Sequence, residues 1–183
     1  MSVQILGTEH AVQSMLNLMA SKFNAKLAAR YPALPAIPAT PETDFNKGRF
    51  YFGDRDHIQQ FPSMTFSAVN MLNMGGKSPR SGGGSFYGTI QGHSHFVAVQ
   101  PYVKSNKADE GDSEQLVERY TRCVLEVVFE NLDLLDTQNV IQDALFVGVN
   151  YIPRATTEKN ETERLGKYFG FAIILYEVRM NEG

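Results

Sequence analysis

The chain has 183 residues, 43% hydrophobic and 20% charged, with a net charge of −3, the profile of a soluble globular protein. That length suits one domain, expected over 1–183, in which folding buries about 70% of the unfolded surface, and its 17 basic residues are scattered rather than striped, against nucleic-acid binding as the main role. Cys123 is the single cysteine, which excludes an intrachain disulfide and suits a reducing cytosol; MSVQILGTEH lacks the basic start of a signal peptide, and no apolar run approaches the ~20 residues of a membrane helix.

Thr8 is the expected N-cap of a helix running to about Arg30. Val12, Leu16, Met19, Phe23 and Leu27 recur at steps of three and four and make its apolar stripe. Leu6 can pack back on that stripe as a staple, and Lys22, Lys26 and Arg30 suit the helix dipole. Tyr31–Pro41 then carries prolines at 32, 35, 38 and 41, a polyproline II spacing. A stiff connector laid over the domain is the main expectation, with a ligand for an aromatic-lined groove as the alternative. Arg49–Phe52 reads as a short strand, Gly53–His57 as a polar turn and Ser63–Met71 as a strand led in by Pro62. Asn73–Ser85, with five glycines, reads as a hairpin tip or a loop that orders on contact. It lacks the helix after Lys77-Ser78 that a phosphate-binding loop requires, because Pro79 follows.

Phe86–Val103 is expected as one strand bent near Gly92, or as two. After a polar loop over Lys104–Gly111, Asp112 or Ser113 caps a second helix whose buried side is Leu116, Tyr120, Cys123 or Val124, and Val127. Its end is expected near Leu132, with Leu134 and Leu135 tucked under the turn. Ala144–Ile152 reads as a strand stopped by Pro153, followed by a charged loop over Arg154–Gly166. The last strand, Lys167–Met180, is the most apolar run of the chain. Phe169, Phe171, Ile173 and Leu175 lie on one parity and Tyr168, Ala172, Ile174 and Tyr176 on the other. A half-wetted strand alternates, so this one is expected to be covered on both faces, one cover being helices and the other a second copy of the chain. Helices and strands do not alternate along the chain. The expected fold is α+β: a mainly antiparallel sheet of four to six strands with two principal helices packed on it.

Candidate chemistry is sparse. His93 and His95, two apart on a strand, put both imidazoles on one face and make half of a metal site. No HExxH, CxxC or second histidine pair completes it, so no metal and no cofactor is expected, and two solvent-facing histidines are the plainer reading. Asp54, Asp56 and His57 form the densest polar cluster, which most often simply closes a turn. Gly84-Ser85-Phe86 lacks the frame of a nucleophile elbow, and Cys123 sits among apolar neighbours where a thiol is inert. No catalytic residue is assigned. Three long polar or glycine-rich loops on one small domain point instead to arms that reach neighbours.

The order of an N-terminal amphipathic helix, strands, a long loop, the helix DSEQLVERYTRCVLEVVFENL and the closing strands ALFVGVNYIPR and YFGFAIILYEVR resembles the tail terminator proteins of tailed bacteriophages. It resembles, more loosely, their neck and tail-completion proteins. The resemblance runs from Thr8 to Met180 and rests on element order, with Tyr31–Asp56 as an excess over compact members. It implies a homo-oligomer, a hexameric ring in the virion that caps the tail tube and joins it to neck or connector proteins. Such a ring is assembled in the host cytoplasm and has no enzyme activity. Ring closure needs a heterologous contact, to which Phe169, Phe171 and Ile173 of the last strand are expected to contribute. Lys77, Arg80, Arg154, Lys159 and Arg164 on the loops can touch an adjoining ring or passing DNA without sequence specificity, or can only keep those loops soluble. A small enzyme using His93 and His95 or Asp54–His57, and a monomeric module docking a partner through Tyr31–Pro41, are the competing readings.

Overall fold

A computed structural model of the chain describes residues 7–37, 41–44, 49–52, 62–69, 92–104, 110–155 and 169–181. Two helices, α1 (Thr8–Arg30) and α2 (Glu110–Phe129), pack on one sheet. Its strands are β1 (Pro41–Asp44), β2 (Arg49–Phe52), β3 (Ser63–Ala68), β4 (Gly92–Lys104), β5 (Ile141–Ala155) and β6 (Phe169–Asn181). They lie in the order β1-β2-β3-β4-β6-β5, and every neighbouring pair is antiparallel. The α+β class read from the sequence is the class of the folded chain.

The stripe Val12, Leu16, Met19, Phe23 and Leu27 is buried throughout, and Ala11, Met15 and Leu18 widen it. The widening has a cause: α1 meets α2 on one side and β2, β3 and β4 on another, so more than one stripe must be apolar. α2 covers the other half of the sheet, over β4, β6 and β5. Its buried side is Val117, Tyr120, Cys123, Val124 and Val127, with Leu116 half-buried. Lys26 Nζ donates to Glu130 Oε1 at 2.6 Å and Arg30 Nε to Glu126 Oε2 at 2.9 Å, so these two cations tie the helices together as well as meeting a helix dipole.

Several boundaries differ from the sequence reading. Gly7, at φ 86°, precedes α1 and no side chain caps the helix, because the Thr8 hydroxyl is turned to His95. α2 starts at Glu110, which puts Asp112 and Ser113 inside it, and it ends at Phe129 rather than near Leu132. β3 stops at Ala68 instead of Met71. β1 was not anticipated; it pairs with β2 from Pro41 opposite Phe52 to Asp44 opposite Arg49. β5 starts at Ile141 and runs through Pro153 to Ala155. Pro153 is tolerated because β5 is an edge strand and the residue falls in the irregular stretch between Ile152 and Ala155, where no ladder bond is lost. Leu134 is buried, but Leu135 is 43% exposed.

The described part of the Pro-rich connector is fastened to the domain. Asn24 donates through Nδ2 to the Ile37 carbonyl at 3.0 Å and accepts the Ile37 N–H at 2.9 Å, and Tyr120 donates its hydroxyl to the Pro35 carbonyl. Ile37 itself is buried.

Candidate functional site

Two concave features lie at opposite sides of the turn that joins α2 to β5. The first is an apolar groove of about 470 Å³ between the end of α2 and β5. Leu125 and Phe129, one helical turn apart on α2, and Leu132 from the turn that follows form one wall, beside the buried stripe of the helix. Ala144 and Phe146 form the other wall and Tyr176 of β6 lies between them. The walls are not closed: Phe129 is 78% exposed and Phe146 is 51% exposed. The rings of Phe146 and Tyr176 meet edge-on, with centroids 6.2 Å apart. Glu126, the charged residue of the lining, is already paired with Arg30.

Tyr176 is buried, yet its hydroxyl has no hydrogen-bond partner, and burial holds its pKa above the ordinary tyrosine value. An unpaired buried hydroxyl costs free energy that an apolar edge does not. Tyr176→Phe is therefore expected to leave stability unchanged or to raise it by about 1–2 kcal/mol. Thermal unfolding of the two proteins checks this; a clear loss in the phenylalanine variant would mean that the hydroxyl is satisfied after all.

The second feature is a polar cleft of about 230 Å³ between the first half of α1 and the α2–β5 turn. Its centre is Asp136, whose side chain is 2% exposed. Oδ2 accepts the N–H groups of Val140 and Ile141, both at 2.6 Å, and Oδ1 accepts that of Gln138 at 3.1 Å. His10 Nε2 donates to Oδ1 at 3.2 Å. Burial opposes the charge, but the bonds from Ile141, Gln138 and Val140, together with the neighbouring His10, outweigh it and hold the Asp136 pKa below the usual carboxylate value. Leu134 and Leu135, both at φ 52°, and Asn139 at φ 55° are left-handed, a conformation costing about 1–3 kcal/mol each for such side chains. The anchored carboxylate and the buried Leu134 offset that strain. A carboxylate with both oxygens engaged in this way fixes backbone; the His10–Asp136 pair is a latch joining α1 to the root of β5.

None of the described residues singled out from sequence as site candidates lines either feature. Lys77, Arg80, Lys159 and Arg164, with Asp54, Asp56 and His57, lie outside the described residues. Arg154 is a β5 position, and Phe169 opens β6 opposite Lys104 and Ala155. Phe171 and Ile173 are half-buried on the sheet face away from the helices, where Phe171 stacks on Tyr102 at 5.1 Å. That face of β6 is half-covered at Phe171 and Ile173 and closed at Leu175, whereas Ala172, Ile174, Tyr176, Val178 and Met180 are sealed beneath the helices. His93 is a β4 position opposite Met180, and His95 shares the parity of the buried Val97 and Val99, the helix side of β4, where it is half-buried rather than on a solvent face. His95 Nδ1 shares a hydrogen bond with Thr8 Oγ1 at 2.8 Å. Among the described residues no three His, Cys, Asp or Glu side chains gather as a metal site. Cys123 is buried and burial pushes its thiol up to about 11, which keeps it protonated and unreactive at neutral pH.

His10 and Asp136 were not read as a pair from sequence, because 126 residues separate them. The groove had a partial signal, the one-turn spacing of Leu125 and Phe129. No protein-family model and no curated protein matches this chain.

Proposed function

We propose that this chain is a structural assembly subunit, a tail-terminator-like protein that acts in several copies as a hexameric ring on a phage tail tube. In that role it joins the tube to neck or connector proteins within the virion, after assembly in the host cytoplasm. The observation that carries the reading is the folded element order. An N-terminal helix and a long second helix lie on one face of an antiparallel sheet that ends in a closing hairpin, β5–β6. That is the order on which the resemblance rests, now with both helices on a single sheet. An exposed apolar groove beside an edge strand of 15 residues adds weight, since such an edge invites pairing with another chain.

Native mass measurement and electron microscopy of the purified full chain test the reading. A closed ring of six copies is expected, and the ring should bind the end of an isolated tail tube. A chain that stays monomeric at all concentrations, with and without tubes, would overturn it.

A further inference from the structure

We propose that the polar cleft between α1 and the α2–β5 turn is a binding site for a small organic cation, an ammonium group carried on a short apolar stem. The inference goes beyond the assembly reading and does not depend on it.

The first observation is charge. Asp136 belongs to the lining with its side chain 2% exposed, and no Lys or Arg lines the cleft with it. The carboxylate, whose pKa lies below the ordinary value, is ionised at neutral pH. The bonds it accepts from Gln138, Val140 and Ile141 come from backbone amides, which carry no net charge. His10 supplies a positive charge only when protonated. The cleft thus holds a negative charge in a partly dry setting, where an opposite charge is attracted more strongly than in water.

The second observation is an unmet acceptor. Gln13 lines the cleft, and its Nε2 donates to Asn17 Oδ1 at 3.0 Å, but its Oε1 is buried with no partner. A buried acceptor without a donor costs free energy, and an N–H of a bound ligand restores the bond. Ser14, 7% exposed, adds a hydroxyl to the same wall. The third observation is Leu135 in the opposite wall. It combines a φ of 52° with 43% exposure, so in the free chain its side chain gains little burial in return for a strained backbone. Against the stem of a ligand it gains that burial.

The same features select the head group. A guanidinium gains most from forked pairing with both oxygens of a carboxylate, and both oxygens of Asp136 are already engaged. An ammonium acts as a compact point charge and needs no fork. An anion meets only repulsion from Asp136. At about 230 Å³ the cleft is smaller than the ~300 Å³ at which sites for drug-sized ligands begin, which suits one alkylamine or one lysine side chain.

NMR titration of the folded full chain with butylammonium chloride at about pH 8, where an ordinary imidazole is neutral and an alkylamine is charged, tests the proposal. The amides of 10–17 and 134–138 are expected to shift saturably, with a dissociation constant in the millimolar range or tighter. Butanol, of similar shape without the charge, and butyrate, of opposite charge, should bind at least tenfold more weakly. Gln13→Met keeps the length of the side chain and removes the acceptor, so it should weaken butylammonium at least threefold with an unchanged circular dichroism spectrum. Asp136→Asn, measured where it is still folded, should abolish the preference for butylammonium over butanol. The proposal is overturned by the absence of a saturable shift, by butanol binding as tightly as butylammonium, or by wild-type affinity in folded Gln13→Met. A charge preference that persists in folded Asp136→Asn overturns it as well. N-acetyl-lysine methylamide separates the two sources of the ligand. If it binds alongside butylammonium, the site takes a lysine side chain of a partner; if butylammonium alone binds, the site takes a free amine, and either result upholds the ammonium site.

Discussion

Asp136→Asn is expected to lower the free energy of unfolding by about 2–4 kcal/mol at neutral pH, measured as a shift of the urea midpoint. The substitution keeps the size and shape of the side chain. It replaces one of two accepting oxygens by an NH₂ group, which then faces donors: the Val140 and Ile141 N–H groups on one side, or Gln138 and His10 on the other. Buried donors lose their partner, and bonds to a charged acceptor are the stronger kind. The pH dependence has a fixed sign. The folded Asp136 pKa lies below its ordinary value, so its stabilisation is complete above the usual carboxylate range and is lost as pH falls through the folded value. The gap between wild type and variant should therefore close in acid. A gap that stays constant down to strongly acidic pH would show that the ionised carboxylate is not the source.

Phe23→Ala is expected to cost about 3–5 kcal/mol, while Phe129→Ala changes stability by no more than ~0.5 kcal/mol. The residue type is the same and the environment is opposite. Phe23 is 0% exposed where α1 meets α2, with its ring 5.9 Å from that of Tyr120. Its loss leaves a cavity among residues that already pack closely. Phe129 is 78% exposed, and its truncation removes little from a single chain. Chemical denaturation of monomeric protein at low concentration measures both. Equal costs for the two would contradict the burial assigned to them.

Much of the architecture was legible because it rests on periodic burial. The 3.6-residue recurrence of Val12, Leu16, Met19, Phe23 and Leu27 is the folded core face of α1, and Tyr120, Cys123, Val124 and Val127 do the same for α2. The doubly apolar closing strand is a central strand between β4 and β5. What escaped the sequence depends on distant partners. Thr8 is a good cap by type, but His95 competes for its hydroxyl. Pro153 stops a central strand, but β5 is at the edge, and strand order is not written in local pattern. Asp136 carries no local signal, because its partners, His10 from 126 residues away and two strand-leading amides, meet it only on folding. The groove is not written in one helical period: Leu125 and Phe129 sit beside the core stripe of α2, and Leu132 joins them only through the turn after the helix.

The bonds from Asn24 to Ile37 and from Tyr120 to Pro35 bear on how copies can exchange parts. Domain swapping needs a hinge that can straighten, and the link after α1 is the natural place for one. Here that link is closed back on the helix it leaves and on α2 beside it. A straightened hinge would break three hydrogen bonds and uncover Ile37 before any gain. Neighbouring molecules are thus expected to meet as whole units, each keeping its own first helix.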